Sequence, residues 1–91
     1  MVYYNLGKVY YITKNYDRSL QNFTQVVNLN PQSADGYYNR GIVYEIKGLD
    51  RQALDDFDRA LQIDPNMAKA QVHRSRVAIK LKIPNRGFQP N

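Results

Sequence analysis

Tyr3-Tyr4-Asn5-Leu6-Gly7-Lys8-Val9-Tyr10 returns 34 residues later as Tyr37-Tyr38-Asn39-Arg40-Gly41-Ile42-Val43-Tyr44. The match runs on through Ile12 and Ile46, Leu20 and Leu54, Phe23 and Phe57, and Pro31 and Pro65. Ten of the 29 aligned positions from Tyr3 to Pro31 are therefore identical. Self-similarity at a fixed period of this size is the mark of a stacked-repeat architecture, in which one unit cannot bury its apolar face alone.

Within each copy the apolar spacing is helical. Tyr3, Leu6, Val9 and Tyr10 fall on one face of a first helix. Asn15 or Asp17 can open a second, whose apolar positions are Leu20, Phe23, Val26, Val27 and Leu29. Pro31 ends it, because proline disfavours helical geometry at the preceding residue. The second copy repeats this with Tyr37, Val43 and Tyr44, then Ala53, Leu54, Phe57, Ala60, Leu61 and Ile63, and stops at Pro65. Gly48 suits a left-handed helix C-terminus, and Ser33 and Asn66 are expected N-caps. A mid-helix glycine costs about 0.5–1 kcal/mol relative to Ala. Its recurrence at Gly7 and Gly41 predicts close approach of another helix.

Two in-phase copies of Tyr-x-x-Leu/Arg-Gly-x-x-Tyr…Ser/Ala…Phe…Val/Ala…Pro resemble the tetratricopeptide repeat. The copies read Tyr3, Leu6, Gly7, Tyr10, Ser19, Phe23, Val26, Pro31 and Tyr37, Arg40, Gly41, Tyr44, Ala53, Phe57, Ala60, Pro65. Ser19 and Val26 depart from small Ala positions, Arg40 from Leu, and Lys14 from a usual turn Gly. The resemblance implies an all-α, right-handed superhelical stack of antiparallel helix pairs with about five helices. Its units are 1–33, 34–67 and a C-terminal capping helix 68–82, followed by a flexible tail 83–91. On the third helical segment Gln71, Arg74, Ser75 and Ala78 are expected to face outward as a solvated cap, together with Lys80 and Lys82. Ala70, Val77 and Leu81 are expected to pack inward. No cap precedes Tyr3, so the N-terminal end is a candidate for homo-oligomer formation or for further repeats of a larger protein.

Composition bounds the chemistry. The 91 residues contain no Cys and one His, which excludes a disulfide scaffold, a Cys-based metal site, a thiol nucleophile and a multi-histidine centre. No glycine-rich phosphate loop or nucleophile–base–acid arrangement is present, so neither enzyme activity nor a cofactor is expected. Asp55, Asp56 and Asp58 are read as a solvated outer face pairing with Arg51 or Arg59. No apolar run approaches the ~18–20 residues of a membrane-spanning helix, and the N-terminus lacks the charged and apolar parts of a signal peptide. The expectation is a soluble, cytoplasmic protein without membrane contact.

The net charge of +5 is unevenly distributed. Residues 1–33 carry +2, residues 34–67 carry −3, and residues 68–91 carry +6 through Lys69, Arg74, Arg76, Lys80, Lys82 and Arg86. A basic segment can meet nucleic acid or another polyanion. Phe88 is the one aromatic after residue 57, so the stacking residues of a single-strand platform are missing and nucleic acid is the weaker alternative.

The resemblance places the binding surface on the first helices, which line a concave groove. Its candidate residues are Tyr4, Lys8, Tyr11, Tyr38, Asn39, Ile42, Lys69, Val72, His73 and Arg76, with Asp35 and Glu45 on the same face. Tyr3, Tyr10, Tyr37 and Tyr44 are assigned to the core. Some members of the family clamp the C-terminal carboxylate of chaperones ending in Glu-Glu-Val-Asp through Lys and Asn side chains. At the corresponding positions stand Tyr4, Lys8, Asn39, Lys69 and His73. Asn39 and Lys69 match, Lys8 and His73 can supply donors, and Tyr4 does not fit. The expected ligand is thus a protein or peptide, with an acidic C-terminal peptide as one form.

Overall fold

A computed structural model describes residues 1–83. Five helices follow one another in this span: α1 (Val2–Ile12), α2 (Tyr16–Leu29), α3 (Ala34–Ile46), α4 (Asp50–Ile63) and α5 (Ala68–Lys80). Each packs on the next, and α3 also meets α5. The expected tail lies outside the described residues from Pro84 on. Ile83 does not belong to it: its N–H donates to the Ala78 carbonyl at 2.9 Å and its side chain packs on the core.

The period reappears in the turns. Lys14, Gly48 and Lys82 stand 34 residues apart, and all three have left-handed backbones with φ of 64°, 78° and 58°. Each closes its helix in the same way. The N–H of the following residue reaches back to Tyr10, Tyr44 or Ala78, at 2.8–2.9 Å. This is the Schellman arrangement, in which orphan carbonyls of the last turn are satisfied. Glycine meets the left-handed geometry without strain at one of the three positions, whereas the two lysines bear its steric cost. Ser33 caps α3 as expected, its Oγ accepting from the Gly36 N–H at 3.0 Å. Asn66 does not cap α5. Its N–H is tied to Asp64 Oδ1 at 3.2 Å, and Met67 takes the cap position without a side-chain bond.

Gly7 and Gly41 are points of close helix approach. A Cβ on Gly7 would lie 2.7 Å from Phe23 Cε1, and one on Gly41 would lie 2.8 Å from Phe57 Cε1. Both phenylalanines are buried, so each glycine lets a first helix sit directly on the ring of its own second helix. Ser19, at a position expected to be Ala, adds a buried hydrogen bond from its Oγ to the Gly7 carbonyl at 2.7 Å. Ala53, Leu54, Phe57, Val77 and Ala78 form the main core cluster. Ala60, Leu61, Met67 and Ala70 form a second. Ala70 and Val77 point inward as expected and Leu81 is half-buried.

Several expectations are corrected. Ala78 is fully buried rather than outward-facing, because the Schellman turn folds Ile83 back over it. Arg74 is no free solvating group, since its guanidinium pairs with Asp58. Among the motif tyrosines, Tyr10, Tyr37 and Tyr44 are half-buried and Tyr3, in the first turn of α1, is exposed.

Asp56 does not lie on the outer face either. It is 4% exposed and accepts two hydrogen bonds from Arg40, Nε to Oδ2 and Nη2 to Oδ1, both at 2.8 Å. Arg40, the residue standing where Leu is usual, thus has its own counter-charge. Its bond to Asp56 holds the guanidinium above its ordinary pKa. Burial pushes the Asp56 carboxyl up, and Arg40 offsets this only in part.

Candidate functional site

The three first helices place one face each on a common cleft of about 620 Å³. From α1 come Lys8, Tyr11 and Ile12; from α3, Tyr38, Asn39, Ile42, Glu45 and Ile46; from α5, His73, Arg76 and Lys80. Phe23 of α2 closes the floor. The spacing is the reason. Positions three, four and seven apart on α3 share a face, so Tyr38, Ile42 and Glu45 rise as one row between the rows of α1 and α5.

The walls are mainly apolar and the α5 end is charged. Tyr38 packs between two rings, with centroids 6.0 Å from Phe57 and 5.7 Å from His73, and His73 stacks on Phe57 at 5.6 Å. Burial, with the nearby Tyr11 and Glu45 groups, raises the Tyr38 hydroxyl pKa against the opposing pull of Arg76. Glu45 is 9% exposed at its side chain. Arg76 Nε donates to its Oε2 at 2.9 Å, Lys80 Nζ to the same oxygen at 3.3 Å, and His73 Nδ1 lies 3.2 Å from Oε1. Burial pushes this carboxyl up, but the hydrogen bonds from Arg76, His73 and Lys80 overcome it and hold its pKa below the ordinary value. Arg76 also contacts His73 Nδ1. That nitrogen accepts from Arg76 when unprotonated and donates to Glu45 when protonated.

Seven of the ten candidate residues are brought together here: Lys8, Tyr11, Tyr38, Asn39, Ile42, His73 and Arg76. Three are not in the lining. Tyr4 lies beneath the rim, its ring edge-on to Phe23 and its hydroxyl accepting from Asn39 Nδ2 at 3.3 Å. Lys69 sits over the Tyr38 ring at 4.7 Å. Val72 is 62% exposed and outside the cleft, so its aliphatic side chain serves another face of α5. Asp35 contributes its carbonyl, which accepts from Asn39 Nδ2 at 2.8 Å.

Ile12, Phe23, Ile46 and Lys80 line the cleft without being among the candidates. Ile12 and Ile46 are period-equivalent and extend the α1 and α3 rows by one turn, a signal available in the sequence. Lys80, expected to solvate a cap, instead reaches across to Glu45 on α3.

Two family models match the chain: one for the tetratricopeptide repeat over residues 34–67 and one for the TPR repeat over residues 7–48. This chain belongs to the tetratricopeptide-repeat family. Solved structures agree on the fold. The TPR domain of Arabidopsis OM64 superposes with a TM-score of 0.86 at 26% identity, covering 89% of this chain and 67% of that one. The TPR2B domain of yeast Sti1, in a complex with pHsp70, superposes with a TM-score of 0.84 at 24% identity, covering 88% of this chain and 64% of that one. This TPR chain thus spans about two thirds of the length of either neighbour. No curated protein sequence matches it. TPR domains are protein–protein interaction modules, and among the described residues no helix is long and apolar enough to cross a membrane.

Proposed function

We propose that this TPR unit is a scaffold or adaptor module that grips a segment of a partner protein in the cleft between α1, α3 and α5, with no chemistry of its own. The observation that carries the reading is the cleft itself: about 620 Å³, within the 300–1,000 Å³ range typical of binding pockets. Tyr11, Ile42 and Ile46 offer apolar area there, while tyrosine and arginine are favoured anchors of protein interfaces. Nucleic acid is disfavoured because Arg74 pairs with Asp58, and Arg76 and Lys80 with Glu45. Their carboxylate partners compete with phosphate for these cations. Arg86 and Phe88 lie outside the described residues.

Selection of random twelve-residue peptides from a display library tests the reading. Enriched peptides should lose at least tenfold in affinity on Ile46→Asp, an exposed lining position, and keep it on Val9→Asp. Equal binding to the wild type and Ile46→Asp would overturn the groove assignment.

A second reading is favoured by a specific observation. Val2, Leu6 and Val9 are all exposed on α1, so that face suits self-association or a preceding helix of a longer array. Concentration-dependent sedimentation abolished by Val9→Asp would support the self-associating form.

A further inference from the structure

The cleft contains a carboxylate of its own, and that bears on what it can hold. Glu45 engages the donors of the α5 wall: Arg76, Lys80 and His73 all converge on its two oxygens within 3.3 Å. Asn39 is also engaged, giving its amide to Tyr4 and to the Asp35 carbonyl. A ligand carboxylate entering here would have to compete with Glu45 for the same donors and would meet its negative charge at close range, in partly desolvated surroundings where charge repulsion is strong. An apolar side chain meets no such obstacle. Tyr11, Ile42 and Ile46 have accessible aliphatic and aromatic surface, and burying it requires no donor to be released.

Resting on the groove reading above, we propose that the cleft takes an uncharged, bulky aliphatic or aromatic side chain from within a partner segment, and that Glu45 is the specificity residue that excludes a free C-terminal carboxylate. The flanks of that segment are acidic. Lys8 and Lys69 are exposed at the rim with no carboxylate partner among the described residues, and their charge complements Asp or Glu on either side of the anchor. Glu45 thus occupies the donors from inside, as a ligand carboxylate would from outside.

Three synthetic peptides test this with the whole chain. The first is capped at both ends and carries a central Leu-Phe pair flanked by Glu. The second replaces Leu-Phe by Ala-Ala. The third has the second's composition but a free acidic C-terminus. The wild type should bind the first at least tenfold more tightly than either of the others. Glu45→Gln, which keeps the shape and releases Arg76 and Lys80, should tighten the third at least tenfold while leaving the first within about threefold. Ile46→Ala should weaken the first and leave the third unchanged, and retention of the first by Glu45→Gln guards against a general folding effect of that variant.

Tighter wild-type binding of the free-carboxylate peptide, or an unchanged ratio of first to third in Glu45→Gln, overturns this inference and leaves the groove reading standing. Failure of the wild type and both variants to bind any of the three overturns the groove reading with it.

Discussion

The same residue type at the same place in three successive units has three neighbours and two fates. Val9, Val43 and Val77 are spaced by the period, yet Val9 is 52% exposed while Val43 and Val77 are 0% exposed. Val43 is buried on α3, which packs on both α2 and α4, and Val77 is covered where α5 lies on α4. Nothing among the described residues covers that face of α1. The second helices differ too: α2, between α1 and α3, buries Ser19, Phe23 and Val27, whereas α4, between α3 and α5, buries six residues. A repeat motif therefore specifies which side chains can be core, and the neighbouring unit decides which of them are.

The largest expected effect separates the two units at one motif position. Unit 1 has Leu6 opposite Asn22, and unit 2 has Arg40 opposite Asp56 at the equivalent places. Arg40→Leu strands a buried carboxylate and should cost about 3–5 kcal/mol in chemical unfolding. The double variant Arg40→Leu/Asp56→Asn, which installs the unit 1 pair, should recover most of that loss. No recovery would show that the Arg40–Asp56 pair does more than compensate its own burial.

Next come the valines. Val43→Ala removes two fully buried methyl groups and should cost about 2 kcal/mol, whereas Val9→Ala should stay within about 0.5 kcal/mol. Equal costs would mean that the α1 face is covered in solution, which would favour the self-associating reading.

The glycines should differ by less. Gly41→Ala drives a methyl into Phe57, an overpacking cost of about 1–3 kcal/mol against a helix-propensity gain of up to ~1 kcal/mol. Gly7→Ala meets Phe23 as closely, but α1 is packed on one side only and can shift outward, so its net cost should be smaller. Thermal unfolding of both variants decides it.

The smallest effect is on pH dependence. The folded-state pKa of Glu45 lies below its ordinary value of 4.5. Its contribution to stability is therefore complete above about pH 4.5 and is lost as pH falls through the lower folded value. Glu45→Gln should flatten that part of the acid limb and leave the neutral region's slope unchanged. An identical acid limb in both proteins would contradict the Arg76–Lys80–His73 network.

The five helices were legible because the period, the prolines and the glycine–phenylalanine pairs repeat in one dimension. The α3 row of the cleft was legible for the same reason: Tyr38 and Ile42 fall four apart. Pairings across helices were not. Arg40 and Asp56 are 16 residues apart and Glu45 and Lys80 are 35 apart, and no spacing rule links charges on different helices. Sequence spacing alone therefore points Asp56 to an outer face and Lys80 to a cap. The exposure of Tyr3 escaped for a different reason, since motif membership carries no information about what lies next to the unit.

The groove is tested most directly by mapping backbone amide chemical shifts on titration with a library-selected peptide. Shifts concentrated at Tyr11, Ile42, Ile46, His73 and Arg76, and absent from α2 and α4 surface positions such as Gln25 and Arg51, are predicted. Shifts centred on the exposed α1 stripe of Val2, Leu6 and Val9, with the cleft residues unmoved, would contradict the account.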